Sequence, residues 1–388
     1  MSEKIPAVVL GGSGYVAGEV VRLLATHPGF ALAAVVSESR AGTPVVEAFP
    51  HLAGTVDGLD FADFTSLPAL LAGLPGAAGR CALVSAAPHG ASAALVARAV
   101  ELARQAAVEL SVVDLSADFR FADPAEYAAV YGHPHPAPGL LPRFVRALPE
   151  HVEPASETGG ALVRGQGEGV YIAHPGCFTT AVLLAVVPLL ARGLAQPHFA
   201  VTAITGSTGS GRGLSDKTHH PARRSNVAGY SPLVHRHAPE MAALAAEAAN
   251  VARPEIDFVP LSGPQARGIY AAVHGRLAVS RAGGDRSDRS QRSDRSQRPS
   301  AAEIAAELAD FYAASPFVAV AATPPALTDV VGTNRARIGV ACAGESIALT
   351  VAIDNLVKGA AGGGVQWLNR IYGFDATTGL AAASLGWF

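Results

Sequence analysis

The sequence has few of the residue types that build metal sites, disulfide frameworks or membrane anchors. Three cysteines, Cys81, Cys177 and Cys342, are spread over 388 residues, and none belongs to a Cys-x-x-Cys pair. Neither a disulfide framework nor a zinc site is therefore expected. A net charge of −3 gives no basis for binding nucleic acid or a membrane surface. The chain lacks an uncharged run of ~18 apolar residues, and its opening apolar run is too short for a signal peptide, so we expect a cytoplasmic protein.

The length and composition predict two globular domains. A chain of 388 residues is longer than one hydrophobic core usually supports. Apolar residues make up 49% of the chain and charged residues only 16%, which is typical of proteins with large buried cores.

The first fifty residues predict a dinucleotide-binding unit. Residues 6–10 read as a short buried strand, glycines follow at once, and residues 19–28 have helical spacing up to a proline-glycine stop. Gly11 allows a sharp turn, Gly14 allows backbone N–H groups to approach a pyrophosphate, and small Ala17 allows the helix to pack on the strand. An ordinary tight turn is the alternative. The cofactor contacts expected here are Gly11, Ser13, Gly14, Tyr15 and Val16.

The end of the second predicted strand, residues 31–37, favours NADP over NAD. An adenosine ribose without a 2′-phosphate usually meets an acidic side chain at this point, whereas a 2′-phosphate needs hydroxyl groups and a cation. Ser37, Ser39 and Arg40 suit the phosphate, although Glu38 is an acid in the same place.

Two more strand-like runs, residues 82–90 and 110–120, are separated by the helical residues 91–107. This alternation predicts a parallel sheet, and open sheets of this type bind ligands at the carboxyl ends of their strands. Loop residues there are candidates for ligand binding: Pro88, His89, Gly90, Ser116, Asp118 and Arg120.

Cys177 is the candidate nucleophile. It follows a His-Pro-Gly turn and precedes an apolar run without a helix breaker until Pro188, which places it at a helix N-terminus. The helix dipole there is expected to lower the thiol pKa and favour the thiolate. A buried small hydrophobe is the alternative, and it is the preferred interpretation for Cys81 and Cys342. A thiol beside a nicotinamide cofactor suggests hydride transfer through a thioester.

A base and an anion site are expected downstream of the thiol. Residues 201–213 predict a strand and then a loop of glycine and hydroxyl residues whose N–H groups can wrap a phosphate. His235 and His237 are the candidate acid/base residues, and the choice between them stays open. The pairs His133/His135 and His235/His237 could instead be metal ligands, but no carboxylate or thiol completes either set. Further predicted contacts in this region are Ser207, Gly209, Arg212, His219 and Arg236.

Taken together, these motifs resemble the N-acyl-γ-glutamyl-phosphate reductase family over nearly the whole chain. The family includes the arginine-pathway enzyme and its lysine-pathway relative, which acts on carrier-protein-linked aminoadipate phosphate. The resemblance rests on the motifs "GGSGYVAGE", "PHG", "DLSADFR", "HPGC", "TGSTGSGR", "HRHAPE", Arg267-Gly268 and "DNLVKGAAGGGVQ".

The resemblance implies that Cys177 attacks an acyl phosphate, that NADPH reduces the thioester to a semialdehyde, and that His237, rather than His235, handles the proton. "TGSTGSGR" and "THHPARRSN" look more like the lysine branch. Arg223, Arg224 and Arg236 could then form a cationic face for an acidic amino-group carrier protein, or bind the substrate's own carboxylate or phosphate. "HPGCFTT" departs from the family's more usual "NPGCYPT", so we expect a slightly different helix geometry around the thiol.

The expected fold class is α/β, with a doubly wound Rossmann domain followed by an α+β catalytic and dimerisation domain of the glyceraldehyde-phosphate-dehydrogenase-like type. We assign residues 1–175 to the NADP domain. The resemblance implies that a C-terminal helix over residues 355–388 folds back to complete this domain and that Asn355 faces the nicotinamide side; helix packing alone is the alternative role for the small residues there. Residues 176–354 form the catalytic domain, whose sheet is the expected interface of a homodimer or homotetramer. Residues 150–169 and 283–300 look inserted, and the second segment, an Arg-Ser-Asp-Gln repeat, is expected to be disordered.

Two other functions fit the same residues. A related enzyme acting on aspartyl phosphate, or a phosphorylating glyceraldehyde type, would use the same thiol and hydride chemistry. A regulator that binds NADP without turnover would need the glycine motif but not Cys177 or the histidines.

Overall fold

A computed structural model describes residues 3–74, 79–152, 169–278, 298–384 and residue 386. The described chain forms two seven-stranded sheets, each with its own hydrophobic core. The expected fold class, a Rossmann-like parallel sheet followed by a mixed sheet with helices, is confirmed.

The first sheet is entirely parallel, in the order β3-β2-β1-β4-β5-β7-β6. Its central strands are apolar and almost fully buried, because helices cover both faces. The strands are β1 (Ile5–Leu10), β2 (Phe30–Val36), β3 (Phe61–Ala62), β4 (Arg80–Ser85), β5 (Glu109–Asp114), β6 (Phe144–Arg146) and β7 (Tyr171–Ala173). The helices are α1 (Tyr15–Ala25), α2 (Val45–Ala48), α3 (Leu67–Ala72), α4 (Ser92–Gln105) and α5 (Pro124–Tyr131).

The second sheet is mixed, in the order β12-β13-β14-β11-β8-β10-β9. Its strands are β8 (His198–Thr205), β9 (Ala228–Gly229), β10 (Glu255–Ser262), β11 (Ile269–Arg276), β12 (Val318–Ala321), β13 (Ala336–Ala343) and β14 (Ser346–Ile353). The remaining helices are α6 (Cys177–Ala191), α7 (His220–Arg223), α8 (His237–Ala249), α9 (Ala301–Phe311) and α10 (Gly362–Tyr372).

Helix α6 is the central element of the second core. Every residue from Phe178 to Leu190 is buried, so this helix is apolar on all sides. Pro188 lies within the helix, which continues to Ala191. Because α6 packs between the sheet and helices α8 and α9, its first residue is held firmly at the edge of the core.

The chain returns to the first sheet after β14. A π-helical turn, Val357–Ala361, leads directly into α10, whose apolar face packs with α1 on the first sheet. The helix predicted over residues 355–388 is therefore too long. It ends at Tyr372 because Gly373 adopts a left-handed conformation (φ +77°), which stops the helix.

The two predicted insertions fall largely outside the described residues, which omit 153–168 and 279–297. Residues at one end of each predicted insertion belong to ordered parts of the structure. Glu150 is buried and accepts hydrogen bonds from Lys358 and Gln366. Ser300 caps α9 in a reciprocal arrangement with Glu303, so the predicted disordered segment does not extend to residue 300. Among the helices described, none is long and apolar enough to cross a membrane.

Candidate active site

A cleft of about 900 Å³ runs along the carboxyl ends of the first sheet's strands and is closed by loops from the second sheet. Ligands of open α/β sheets bind at this edge. All the residues predicted to contact the cofactor line this single cleft: Gly11, Ser13, Gly14, Tyr15, Val16, Ser37, Ser39, Arg40, Pro88, Gly209 and Asn355.

The N-terminus of α1 has the shape and polarity of a pyrophosphate site. Gly11 has φ +75°, and a Cβ atom there would lie 2.4 Å from the Ala87 Cα, so only glycine fits the turn. Gly14 caps the helix without a side-chain hydrogen bond, and a Cβ at Gly14 would meet no atom within 4 Å. Gly14, Tyr15 and Val16 all line the cleft, so an anion bound there would be placed to satisfy the first N–H groups of α1.

The end of β2 has a cation and two hydroxyl groups available for a ribose 2′-phosphate. Glu38, the acid that made the cofactor choice uncertain, accepts a hydrogen bond from the Phe64 N–H at 3.0 Å. The Ser37 and Ser39 hydroxyl oxygens lie 3.5 Å apart. Arg40 forms no ion pair with any described residue. The local geometry therefore fits NADP.

The thiol of Cys177 lies at the inner end of the cleft, as the first residue of α6. The N–H of Gly176, just before it, donates to Glu240 Oε1 at 2.7 Å. The π-helical turn packs closely against the cysteine, because a Cβ at Gly359 would lie 2.8 Å from Cys177 Cβ. Cys177, the predicted nucleophile, is thus held between the start of α6, α8 and the C-terminal turn.

The pKa of the Cys177 thiol is raised, contrary to the expectation from the helix dipole. Burial is the main cause, and it outweighs the opposing effects of the Arg120 charge and the Phe178 N–H. In the cleft without substrate the sulfur is therefore held as a neutral thiol. A base must remove its proton before it attacks.

Arg120 brings a fixed positive charge to the inner end of the cleft. Its Nε donates to the His174 carbonyl at 3.0 Å, and its Nη2 donates to the Leu115 carbonyl at 2.9 Å. Its Nη1 lies 3.4 Å from Glu240 Oε2, in an ion pair that is almost fully buried. With these contacts the guanidinium is oriented before any ligand binds.

His237 lines the same cleft as Cys177, whereas His235 does not line it. A Cβ added to Gly176 would lie 2.7 Å from His237 Nε2 and 2.8 Å from Arg120 Nη1, so both groups border the turn before Cys177. Burial, then the nearby positive charge of Arg120, hold the pKa of His237 well below 6.5. His237 is therefore a neutral imidazole that can accept a proton. His235 supports it, because His235 Nδ1 accepts the His237 backbone N–H at 3.2 Å.

Comparison with known proteins identifies the family. Residues 6–141 match the model of the semialdehyde dehydrogenase NAD-binding domain, and residues 177–355 match the semialdehyde dehydrogenase dimerisation domain. An N-acetyl-gamma-glutamyl-phosphate reductase of Desulforudis audaxviator is 36% identical over 97% of this chain and 98% of the relative. Relatives of the same name from Azotobacter vinelandii (36%) and Pseudomonas savastanoi (35%) have the same coverage.

The chain belongs to the N-acetyl-gamma-glutamyl-phosphate reductase family. It is therefore an oxidoreductase of the phosphorylating semialdehyde dehydrogenase type, and its cofactor is NADP. The resemblance predicted from the sequence motifs is confirmed.

Solved structures agree on the fold. Aspartate semialdehyde dehydrogenase II of Vibrio cholerae, complexed with ASA, superposes with a TM-score of 0.64 at 16% identity, covering 96% of this chain and 99% of the other. The Candida albicans aspartate semialdehyde dehydrogenase with NADP has a TM-score of 0.53 at 14% identity, with the same coverage. At such low identity these structures establish the shared architecture alone.

Within this family fold, three of the predicted substrate residues line the cleft and three do not. Arg120, Arg212 and Arg236 line it. Ser116 is buried, donates to Asp114 Oδ2 at 2.7 Å and accepts the Asp118 N–H at 3.1 Å, so its hydroxyl stabilises the loop instead. The remaining two, Ser207 and His219, do not line the cleft. Ser207 is half-buried and His219 is exposed.

His135, of the first His-x-His pair, has a structural role. His135 Nε2 donates to the Asp118 carbonyl at 2.8 Å, while His135 Nδ1 accepts the Ala137 N–H at 3.0 Å. Both ring nitrogens are therefore occupied by the backbone. Within the described ranges, no group of three or more histidine, cysteine, aspartate or glutamate side chains is placed to hold a metal ion.

Glu240 was missed as a site residue by the sequence analysis, although it closes the quoted "HRHAPE" motif. It is fully buried and contacts both the Gly176 N–H and Arg120. The spacing could have identified Glu240 as a site residue, because it follows His237 by three residues and therefore lies on the same side of α8. Leu356 and Gly359 also line the cleft. Their side chains have no reactive or hydrogen-bonding group, so their residue types gave no reason to predict this position.

Proposed function

We propose that the protein uses NADPH to reduce N-acetyl-γ-glutamyl phosphate to the corresponding semialdehyde, with Cys177 as the nucleophile and His237 as the acid/base. One observation carries the assignment of roles. The Cys177 thiol, the neutral imidazole of His237 and the fixed charge of Arg120 meet at the inner end of the cleft that holds the dinucleotide-binding glycines.

The first half of the reaction forms a thioester. His237 takes the thiol proton, the sulfur attacks the acyl carbon, and the bond from that carbon to the phosphate oxygen breaks. Arg120, held by two backbone carbonyls, stabilises negative charge near the reacting carbon. The departing phosphate takes a proton from solvent.

The second half releases the semialdehyde. NADPH, when bound, supplies the hydride that reduces the thioester carbonyl. The carbon–sulfur bond then breaks, and His237 returns its proton to the sulfur, which restores the neutral thiol favoured by the environment of Cys177. Gly11, Gly14, Ser37, Ser39 and Arg40 would hold the cofactor along the outer part of the cleft.

The choice of substrate rests on the relatives. Several relatives that match along 97% of the chain carry the N-acetyl-gamma-glutamyl-phosphate reductase name. This favours the free N-acetylated glutamyl substrate over the carrier-linked aminoadipyl substrate that the loop motifs favoured in the sequence analysis.

The carrier-linked substrate remains a second candidate because of the surface between α7 and α8. Arg224 and Arg236 are exposed there, and so are large apolar side chains: Leu233 is 63% and Val234 is 80% exposed. A cationic surface with apolar side chains beside the cleft suits an acidic carrier protein. We therefore keep reduction of carrier-linked 2-aminoadipate 6-phosphate as the alternative function.

The reverse reaction separates these functions. Purified protein is given NADP, inorganic phosphate and either N-acetylglutamate semialdehyde or carrier-linked aminoadipate semialdehyde, and NADPH formation is followed by absorbance. We expect phosphate-dependent turnover with a higher kcat/KM for N-acetylglutamate semialdehyde. A higher value for the carrier-linked substrate would assign the alternative function. Stoichiometric NADP binding without turnover of either would instead indicate a regulator.

A further inference from the structure

Arg223 is a buried cation without an acidic partner. It is only 9% exposed, yet it forms no ion pair with any residue in the described part of the chain. A buried charge is costly unless an opposite charge or several hydrogen bonds compensate for it. Neither the cofactor site nor the proton transfer described above uses this residue.

The contacts of Arg223 leave much of its hydrogen-bonding capacity unused. Nη1 donates to the Ser262 hydroxyl, and Nη2 donates to the Thr205 carbonyl over a long 3.4 Å. Nε is buried and has no hydrogen-bond partner among the described residues, and the same is true of the Thr205 hydroxyl nearby. Guanidinium groups and carboxylates form paired hydrogen bonds, so a carboxylate is the ligand that best matches these free donors.

Arg223 does not line the cleft itself, but it contacts residues next to the cleft wall. Thr205 and Ser262 are paired residues at the carboxyl ends of the parallel strands β8 and β10, and the loop that follows Thr205 lines the cleft. Tyr230 lies within electrostatic range of both Arg223 and Cys177, and its ring lies 5.5 Å from the His235 ring, which lies 4.8 Å from that of His237.

We infer that Arg223 binds the α-carboxylate of the acyl substrate and so selects α-amino-acid derivatives over simple acyl phosphates. This inference rests on the proposed function, because it assumes a substrate with a carboxylate a few bonds from the reacting carbon. Both candidate substrates have such a group. Arg223 therefore recognises the part that they share, while the exposed arginines and apolar side chains distinguish a free substrate from a carrier-linked one.

The test compares N-acetylglutamate semialdehyde with its α-carboxamide in the reverse assay. The native protein is expected to prefer the acid by on the order of 100-fold in kcat/KM. Arg223→Met should abolish that preference, mainly through a higher KM for the acid, and should leave the rate with the amide nearly unchanged. Arg223→Lys, which keeps the charge but loses the planar fork, should give an intermediate preference. NADP binding, measured by fluorescence, should stay the same in all variants.

Arg253→Met is the matched control, because Arg253 is an exposed arginine paired with Glu126 on the surface. It should keep the full preference for the acid. An unchanged preference in Arg223→Met overturns the inference. So does an equal loss with both compounds accompanied by a lower mass in solution, which would mean that a second copy of the chain supplies the counter-ion. If the native protein turns over neither compound but accepts carrier-linked aminoadipate semialdehyde, the proposed function fails, and the same acid and amide comparison is made on that substrate.

Discussion

The sulfur of Cys177 is held in a site that favours its neutral form, and the neighbouring imidazole of His237 is neutral as well. In the proposed mechanism, chemistry therefore begins with proton transfer between two uncharged groups rather than with a preformed ion pair. The fixed charge of Arg120 would then stabilise the anion as it develops. A thiol of this kind is protected from adventitious oxidation until substrate arrives, since reactivity follows thiolate content.

Replacement of the nucleophile should separate chemistry from cofactor binding. Cys177→Ser is expected to lower kcat of phosphate-dependent NADP reduction by more than about 10³-fold. NADP affinity should change by less than about twofold, because Cys177 lies at the inner end of the cleft and away from the pyrophosphate turn. The measurements are the reverse assay and fluorescence titration. Retention of turnover by the serine variant would contradict the role of Cys177.

The two histidines should differ in their effect on rate and on its pH dependence. His237→Asn is expected to lower kcat by about 10²- to 10⁴-fold, and His235→Asn by much less, since His235 only supports the His237 backbone. A base works when it is unprotonated, that is, above its pKa. Because the pKa of His237 lies well below 6.5, the acid side of the kcat/KM profile should fall only well below pH 6.5. A half-maximal rate at pH 6.5 or above would exclude His237 as the base.

The π-helical turn Val357–Ala361 joins the two sheets directly behind the thiol. Its backbone approaches Cys177 so closely that no side chain fits at Gly359. π-helical turns are rare and are found mostly at functional sites. Here the turn allows the chain to pass the catalytic helix and still continue into α10.

An added methyl group at this contact should disturb the nucleophile more than the fold. Gly359→Ala places a Cβ 2.8 Å from Cys177 Cβ, so one of the two backbones must move. We expect kcat to fall by about 10-fold or more, with a loss of about 1–3 kcal/mol in the free energy of unfolding. Gly139→Ala is the control, because a Cβ there meets no atom within 4 Å and Gly139 does not line the cleft. Unchanged kcat in Gly359→Ala would show that the contact relaxes freely.

A partly buried ion-pair cluster connects α1 to the segments before β11 and after β14. Arg267 Nη1 donates to Glu19 Oε1 at 2.7 Å, and its Nε donates to Asp354 Oδ2 at 3.0 Å. Next to these, Asn355 accepts the Gly268 N–H and donates to the Thr208 hydroxyl. Burial tends to raise the pKa of Glu19, but hydrogen bonding to Arg267 and its charge hold that pKa below the ordinary value.

Removal of Arg267 would leave Glu19 paired with Arg22 alone and Asp354 with backbone N–H donors alone. Arg267→Ala is expected to lower the free energy of unfolding by about 2–3 kcal/mol, because two largely buried carboxylates lose their shared cation, and to raise the KM for NADP. Chemical denaturation measures the first effect and the reverse assay the second. Arg253→Ala, which breaks an exposed pair, should cost no more than about 1 kcal/mol. Equal losses in the two variants would show that the Arg267 cluster contributes no more to the free energy of unfolding than an exposed ion pair.

In the molecule as a whole, the two sheets differ in how the helices cover their faces. The first is covered on both faces by helices, whereas the described helices α6, α8 and α9 pack on only one face of the second. On the opposite face Thr202, Ala272 and Thr350 lie side by side on three adjacent strands. This surface is the proposed interface of a homodimer or homotetramer, in agreement with the dimerisation-domain match over residues 177–355.

A charge introduced at the centre of this surface should disrupt association. Ala272→Arg is expected to lower the mass measured by sedimentation equilibrium to that of a smaller assembly, because a buried unpaired charge at an interface is strongly unfavourable. NADP should still raise the melting temperature of the variant, since the cofactor cleft lies elsewhere. An unchanged mass would place the interface on another surface.

Local patterns were enough to predict the parallel sheet, the glycine turn, the position of Cys177 at a helix start and every residue proposed to hold NADP. Each of these depends on residues close together in the chain, where periodicity and turn chemistry act. The pKa of Cys177, the engagement of Glu38 by the Phe64 backbone, the burial of Ser116 and the placement of Glu240 and Gly359 behind the thiol required the folded chain. These features arise from contacts between segments that are far apart in the sequence. Desolvation and packing of that kind produce no periodic pattern of residues from which they could be predicted.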